Sequence, residues 1–478
     1  MNLEQPVLQQ ATRFAGRKLM FGRFKKLHFV GIGGAGMSGI GEILHNLGYN
    51  ITGSDSTPSE VTEYLQSLGI RIMGGHEAAN VAEADVVVIS SAISKDNPEV
   101  LEAQRLGIPV IKRAEMLGEL MRLKFSIGVA GTHGKTTTTS MIGRILQHAM
   151  LQPTLVVGGI VAELGTGAAL GEGDYLVAEA DEYDRSILAM FPSLAVVLNI
   201  EPDHLDCYAD MDDLRDSFLK YMNRVPFYGA AVISSDDENL KQLKDRITRP
   251  VVTFGFAAGA DYRAVEIKPH NSGSRFSVFY KDELLGQIIL RVPGRHNAAN
   301  ALAAVAAARE VEIPFKVIAE SLGAFRGVSR RFELVGEVND IVVIDDYAHH
   351  PTEIRATLNT ARETYEQRRI VAVFQPHLYS RTRDFARGFA EALSLADVCI
   401  LTKIYPAREK PIEGVTSEII REEAARLGAT QFTYVGVKKN ALDELSRVAK
   451  PGDLIITIGA GSITHIRKQI LERLSKGL

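Results

Sequence analysis

Seven consecutive residues, Gly131-Thr132-His133-Gly134-Lys135-Thr136-Thr137, bring together the groups that phosphate chemistry requires. Glycines let backbone N–H groups close around an anion, the lysine reaches the outer phosphates, and the next hydroxyl suits Mg2+. The strict phosphate-loop pattern has a further glycine where this chain has Val129, so the run reads as a shortened variant. ATP is the expected ligand; the plain alternative is a Gly/Thr-rich turn that binds nothing. A second run, Gly31-Ile32-Gly33-Gly34-Ala35-Gly36, satisfies G-x-G-x-x-G, and Asp55 lies 19 residues beyond it. Such a loop seats a pyrophosphate on a helix N-terminus and offers a carboxylate to a ribose hydroxyl. NAD and a UDP-sugar both present those groups, and spacing alone does not choose between them.

Two acidic runs follow, Glu179-Ala180-Asp181-Glu182 and Glu201-Pro202-Asp203-His204. Mg2+ takes one or two carboxylates together with phosphate oxygens and water, so Glu179 with Thr136 would serve. Histidine is an unusual Mg2+ ligand, which leaves His204 open between a metal position and a structural role. Asp181 and Asp203 are equally open, because acidic residues at strand ends also cap helices. His296 and Asn297 begin an alanine-rich stretch, where they meet a base or simply cap the helix.

These groups need elements to hold them. Phe125 to Ala130 is a strand, and Met141, Ile142, Ile145, Leu146, Ala149 and Met150 recur at helical spacing after the phosphate loop. Leu27 to Val30 is a strand as well; Met37, Ile40, Ile43, Leu44 and Leu47 mark the next helix, with Gly48 closing it. Strands over Asp85–Ile89, Asp174–Ala178 and Leu194–Ile200 end at Ser90-Ser91, at Glu179 and at Glu201. Past a joint at Gly327 to Arg331, four more strands end in DDYAHHP, QPHLYSRTR, Thr402-Lys403 and GAGS. Ligand sites of open α/β sheets lie at such carboxyl ends. The expected fold is α/β with three domains: N-terminal Rossmann-like (25–122), central phosphate-loop α/β (123–328) and C-terminal Rossmann-like (329–478), after an extension, 1–24.

Composition narrows the function class. With 478 residues, 46% hydrophobic and 23% charged, the chain has a globular make-up, and its net charge of −4 gives no basic field for nucleic acid. Two cysteines provide no disulfide framework. No apolar run is long enough to span a bilayer and residues 1–24 lack a signal-peptide pattern, so no membrane insertion and a cytoplasmic location are expected.

Together the motifs resemble those of the Mur ligases of bacterial cell-wall synthesis, from about Lys26 to the C-terminus. HFVGIGGAGMSGI is similar to their nucleotide-sugar loop and AGTHGKTTT to their ATP loop, while DDYAHHPTEI and QPHLYSRTRD match motifs of one member. The resemblance implies an ATP-dependent ligase, monomer or homodimer, that joins L-alanine to the lactyl carboxylate of UDP-N-acetylmuramate with Mg2+. It assigns the UDP-sugar to Gly31, Gly33, Gly34, Ala35, Gly36, Met37 and Ser38, with Asp55, Ser90 and Ser91 toward the uridine. Thr136 and Glu179 would ligate Mg2+, with His204 at or beside a second metal. His296, Asn297, Arg330 or Arg331 would hold adenosine, and Asp345 its ribose or phosphates. Arg381 and Arg383 suit the alanine carboxylate, because guanidinium forks match carboxylates; His349 falls on the amine side.

Departures exist. Tyr183 stands where a small residue is commoner, and EADEYD also resembles the Mur ligase that recycles cell-wall tripeptides. Leu378 replaces a common arginine. Sister ligases carry a carbamoylated lysine after the Asp-His pair; here the matching position is about Phe218. Lys220, two residues on, is turned about 200° around the helix, so no carbamate is expected. An NAD-dependent dehydrogenase with a regulatory ATP site is the alternative of a different class.

Overall fold

The computed structural model describes residues 21–158, 168–203, 207–407 and 409–475. It divides into two compact units, Met1–Phe254 with Ala303–Ile313 and Gly255–Leu302 with Pro314–Leu478.

The first unit opens with strands β1 (Lys26–Val30), β2 (Asn50–Asp55), β3 (Arg71–Gly74), β4 (Val86–Ile89) and β5 (Val110–Lys112). They form a parallel sheet in the order β3-β2-β1-β4-β5. The winding reverses between β1 and β4, and the glycine loop and Ser90 follow these two strands at the carboxyl ends, where ligands of such sheets bind. Helix Ala35–Asn46 follows β1, with Ile40, Ile43 and Leu44 buried on its inner face. Helix Arg113–Met121 leads out of this sheet.

The next strands are β6 (Phe125–Ala130), β7 (Thr154–Val156), β8 (Ala168–Ala169), β9 (Tyr175–Ala180), β10 (Leu194–Val197), β11 (Ala230–Ser234) and β12 (Val251–Gly255). Their order is β12-β11-β10-β6-β9-β7-β8, parallel from β11 and β10 through β6 and β9 to β7. Ala130 is level with Ala180 on one side and Val197 on the other, so three loops leave the sheet side by side. Both faces of these strands are covered, which is why LAVV and AAVIS read as unbroken apolar runs. Tyr221, on helix Met211–Asn223, lies with its hydroxyl against Gly128 of β6, in the space a Cβ would fill. On that helix Phe218 is fully buried and Lys220 exposed, as the helical spacing requires.

The second unit begins with an antiparallel meander, β13 (Tyr262–His270), β14 (Gly273–Tyr280) and β15 (Glu283–Leu290). A six-stranded sheet follows: β16 (Glu333–Val338), β17 (Ile341–Asp346), β18 (Arg369–Phe374), β19 (Val398–Thr402), β20 (Phe432–Gly436) and β21 (Asp453–Ile458). Its order is β16-β17-β21-β18-β19-β20, parallel except for the edge strand β16. The mixed α/β class with three sheets agrees with the sequence expectation.

Candidate active site

Three loop clusters carry the chemistry, two in the first unit and one in the second. At the end of β6, Gly134 takes φ +85° and starts helix Lys135–His148. The Lys135 Nζ donates to the carbonyl of Gly131 at 2.6 Å and to both oxygens of Glu182, at 2.8 and 3.0 Å. Burial acts to lower the lysine pKa. The carboxylates of Glu182, Asp181 and Glu179 outweigh it, so the ammonium is held above the ordinary lysine value and stays charged. Glu182 was not singled out from the sequence; it lies three residues past Glu179 in the same acidic run.

Asn199 was also missed. Its Oδ1 accepts from His133 N at 2.8 Å and its Nδ2 donates to His133 O at 3.1 Å, clamping the loop backbone. Thr132 Oγ1 accepts from Glu201 N at 2.9 Å. Polar residues at the ends of β10 thus shape the phosphate loop; their sequence signal was only that strand's polar terminus.

Strand β9 runs two residues further than expected, so Glu179 sits within it, level with Val129 of β6. Its Oε1 accepts from Gly158 N at 2.7 Å. Thr136 lies half-buried in the first helical turn, and Thr137 is buried. Hydroxyl and carboxylate oxygens are hard donors that suit Mg2+. His204 lies outside the described residues.

The stretch after Glu182 is unusual. Asp184 and Arg185 both take left-handed backbone angles, φ 51° and 56°. Arg185 is held by both carboxylate oxygens of Asp213, with Nη1 2.9 Å from Oδ1, and its guanidinium lies over the Tyr208 ring. Tyr208 in turn donates to Glu182 O at 2.6 Å, and Lys112 Nζ meets Asp184 Oδ2 at 2.8 Å. These contacts fix the backbone that carries Glu182.

In the glycine loop, Asp55 Oδ2 accepts from Gly33 N at 2.9 Å and Oδ1 from Thr57 N at 3.1 Å. The carboxylate expected to meet a ribose therefore anchors the loop itself. Gly31 N and Ile32 N donate to Ser54 O. The Met37 side chain is buried in the core and its N–H donates to Gly34 O at 2.9 Å, as does that of Ser38. Ser90 Oγ accepts from Ala92 N at 3.3 Å, and Ser91 is exposed. Gly36 is half-buried, Gly34 exposed, and the side chain of Ala35 lies outside the described residues.

In the second unit β17 extends through Asp345 and Asp346, past the end the sequence suggested. Asp345 is consequently fully buried, accepting from Thr457 Oγ1 at 2.6 Å and Thr464 Oγ1 at 2.8 Å. Arg330 Nε and Arg467 Nη1 stand 3.4 Å from it. Asp345 thus holds these two arginines in place. Arg330 also donates to Gly459 O at 2.6 Å, leaving Arg331, which lies over Tyr347 and 3.7 Å from Glu353, as the more available of the pair. Burial pushes the Asp346 carboxyl up to about 6, against the pull of Arg331 and of the Ala348 and Phe332 N–H groups.

His296 is exposed at the start of helix Arg295–Glu310, whereas Asn297 folds back to donate to Pro293 O at 2.7 Å. His349 Nδ1 lies 3.2 Å from Glu353 Oε2 and its ring 5.9 Å from that of His377. Arg381 is buried with Nη1 3.4 Å from His377 Nδ1. Arg383 is exposed and pairs with Asp384 at 2.7 Å. Two residues apart on one short helix, the arginines face different ways, Arg381 inward and Arg383 outward. Glu409, not foreseen, accepts from Tyr379 N and Ser380 N at 2.6 and 3.0 Å and fixes that helix start.

The chain matches three consecutive family descriptions: "Mur ligase family, catalytic domain" over residues 26–125, "Mur ligase middle domain" over 129–308 and "Mur ligase, glutamate ligase domain" over 330–461. The chain belongs to the Mur ligase family. This Mur ligase is 50% identical, over 455 residues, to a UDP-N-acetylmuramate–L-alanine ligase of Geobacter sp. strain M21, covering 95% of this chain and 99% of the relative. The enzyme of that name from Salinibacter ruber is 50% identical over 454 residues, 95% of this chain and 96% of the relative. Among solved structures, the UDP-N-acetylmuramate–alanine ligase of Thermotoga maritima superposes with a TM-score of 0.78 at 32% identity, covering 94% and 99% of the two chains. A murein peptide ligase of Psychrobacter arcticus gives 0.70 at 26% identity, covering 95% and 99%. No helix among the described residues of this Mur ligase is long and apolar enough to cross a membrane.

Proposed function

We propose that this Mur ligase joins L-alanine to UDP-N-acetylmuramate, converting ATP to ADP and phosphate, in peptidoglycan precursor synthesis. The observation that carries the reading is identity of about one residue in two, along nearly the whole chain, to relatives named for this reaction. The lactyl carboxylate attacks the γ-phosphate of ATP to give an acyl phosphate and ADP. The alanine amine then displaces phosphate, and the amide forms. Charge on the transferring phosphoryl group must be neutralised, and the protonated Lys135 with the loop amides supplies this from the protein. Mg2+ held by Thr136 and Glu179, with His204 beside a second position, would add its own charge to that task.

In this reading residues 25–122 bind the UDP-sugar through the Gly31–Gly36 loop, 123–328 bind ATP, and 329–478 bind the amino acid. Arg381 takes the alanine carboxylate, His349 faces the amine, and His296 with Arg331 lies toward adenosine. The enzyme works in the cytoplasm as a monomer or homodimer. A coupled assay of phosphate release, with UDP-N-acetylmuramate, ATP and a panel of amino acids, tests the whole. L-Alanine should be required, with no absorbance change at nicotinamide wavelengths. A requirement instead for the L-alanyl tripeptide would move the chain to the recycling ligases, to whose structures it is also similar.

A further inference from the structure

The groups so far assigned to the UDP-sugar include backbone amides, hydroxyls and one carboxylate, Asp55, and none is a cation. A diphosphate bridge between two sugars carries a charge of about −2, while a helix N-terminus offers only about half a positive charge. A cation is nevertheless at hand. A Cβ placed on Gly36 would lie 2.8 Å from Nη1 of Arg113 and 3.2 Å from its Cδ and Cζ, so the arginine head packs against the last glycine of the loop. Arg113 is the first residue of helix Arg113–Met121 and is half-buried. Among the described residues its guanidinium makes no hydrogen bond and no ion pair, unlike the neighbouring Lys112, which is bound to Asp184. On the other side of the loop the corresponding position at Gly33 faces Asp55, which is already engaged with the loop backbone.

We propose that Arg113 is a pyrophosphate-binding residue of the UDP-sugar site, pairing its fork with the bridge seated on the Gly31–Gly36 loop. Guanidinium geometry suits two phosphoryl oxygens at once. The absence of a side chain at Gly36 is what lets the arginine lie beside the helix start, where the amides also point. This rests on the functional reading above and adds the cation that reading lacks. Because Arg113 begins the helix leading out of the first sheet, the substrate contact also sits at the root of the connection to the ATP-binding residues.

The experiment is calorimetric binding of UDP-N-acetylmuramate, UDP and uridine to the full chain and to Arg113→Met and Arg113→Lys, with ADP binding and thermal melting alongside. Methionine keeps an apolar stem against Gly36. Losing a charge-assisted contact should weaken UDP and UDP-N-acetylmuramate about 10- to 100-fold. Uridine and ADP should stay within about two-fold, and lysine should recover part of the loss. UDP-sugar affinity unchanged in Arg113→Met overturns the assignment. So does an equal loss for uridine, which would mean that the arginine only packs the loop. Should methionine unfold the chain, Arg113→Lys decides: UDP affinity equal to the native value under low and high salt also refutes the bidentate contact. A native chain that binds no UDP-sugar overturns the functional reading itself, and this inference with it.

Discussion

Replacing Glu182 with glutamine tests the ion pair at the phosphate loop most directly. Lys135 Nζ touches both carboxylate oxygens of Glu182, at 2.8 and 3.0 Å, with the two side chains 16% and 2% exposed. Removing one partner of a buried pair costs roughly 3–5 kcal/mol, because the other charge is left behind. Here Gly131 O still accepts at 2.6 Å, and Asp181 and Glu179 still attract the ammonium, so about 2 kcal/mol is the expected loss. For a unit of this size that corresponds to a fall in Tm of about 4–8 °C, read by differential scanning calorimetry. A nucleotide changes the outcome. Phosphate offers Lys135 the negative charge that Glu182 supplied, so with saturating ADP and Mg2+ the gap between native and variant should close. By the same linkage Glu182→Gln should bind ADP more tightly, up to about 30-fold for 2 kcal/mol. A gap that stays the same with ADP would refute the exchange of partners. No gap at all would refute the worth of the pair.

The other predictions are more local. Lys135→Ala should lower kcat by orders of magnitude while UDP-sugar binding persists, and near-normal turnover would remove Lys135 from phosphoryl transfer. Tyr221→Phe should leave stability unchanged or raise it by about 1 kcal/mol in urea melts, since the buried hydroxyl has no hydrogen-bond partner. Asp346 holds its proton more tightly folded, at about 6, than unfolded, at about 3.9, so its contribution is present at low pH and lost as pH rises from about 4 to 6. Asp346→Asn lacks that loss, on the order of 3 kcal/mol, so its stability relative to the native chain should improve between pH 4.5 and 7 in urea melts. Lys220→Ala should keep kcat within a few-fold, with no response to bicarbonate; a loss modulated by bicarbonate would mark Lys220 as carbamoylated.

Much of the fold was legible because parallel strands buried on both faces leave runs such as FSIGVA and LAVV, and because glycine punctuates the turns after them. The phosphate loop was legible for the same reason: its residues are contiguous. What sequence could not supply was where side chains turn once strands pair. Asp345 follows an apolar run and reads as a loop residue, yet β17 continues through it and pairs it with Thr457 of β21. Arg381 and Arg383 look equivalent until a short helix separates their faces. Asn199 and Glu409 act on backbone 66 and 30 residues away, respectively, and no local pattern announces such partners. Arg113 carries no motif, being visible only against Gly36.

The fit of Tyr221 into the space over Gly128 sets an order on how this sequence can drift. Alanine at 128 collides with the phenol oxygen while tyrosine is present, whereas phenylalanine at 221 removes that atom and leaves the ring in place. The neutral route therefore passes through 221 first; the opposite order crosses a poorly folding intermediate. Lineages in which residue 128 has gained a side chain should have lost the hydroxyl beforehand, and the two positions should change as a pair although 93 residues separate them in the chain.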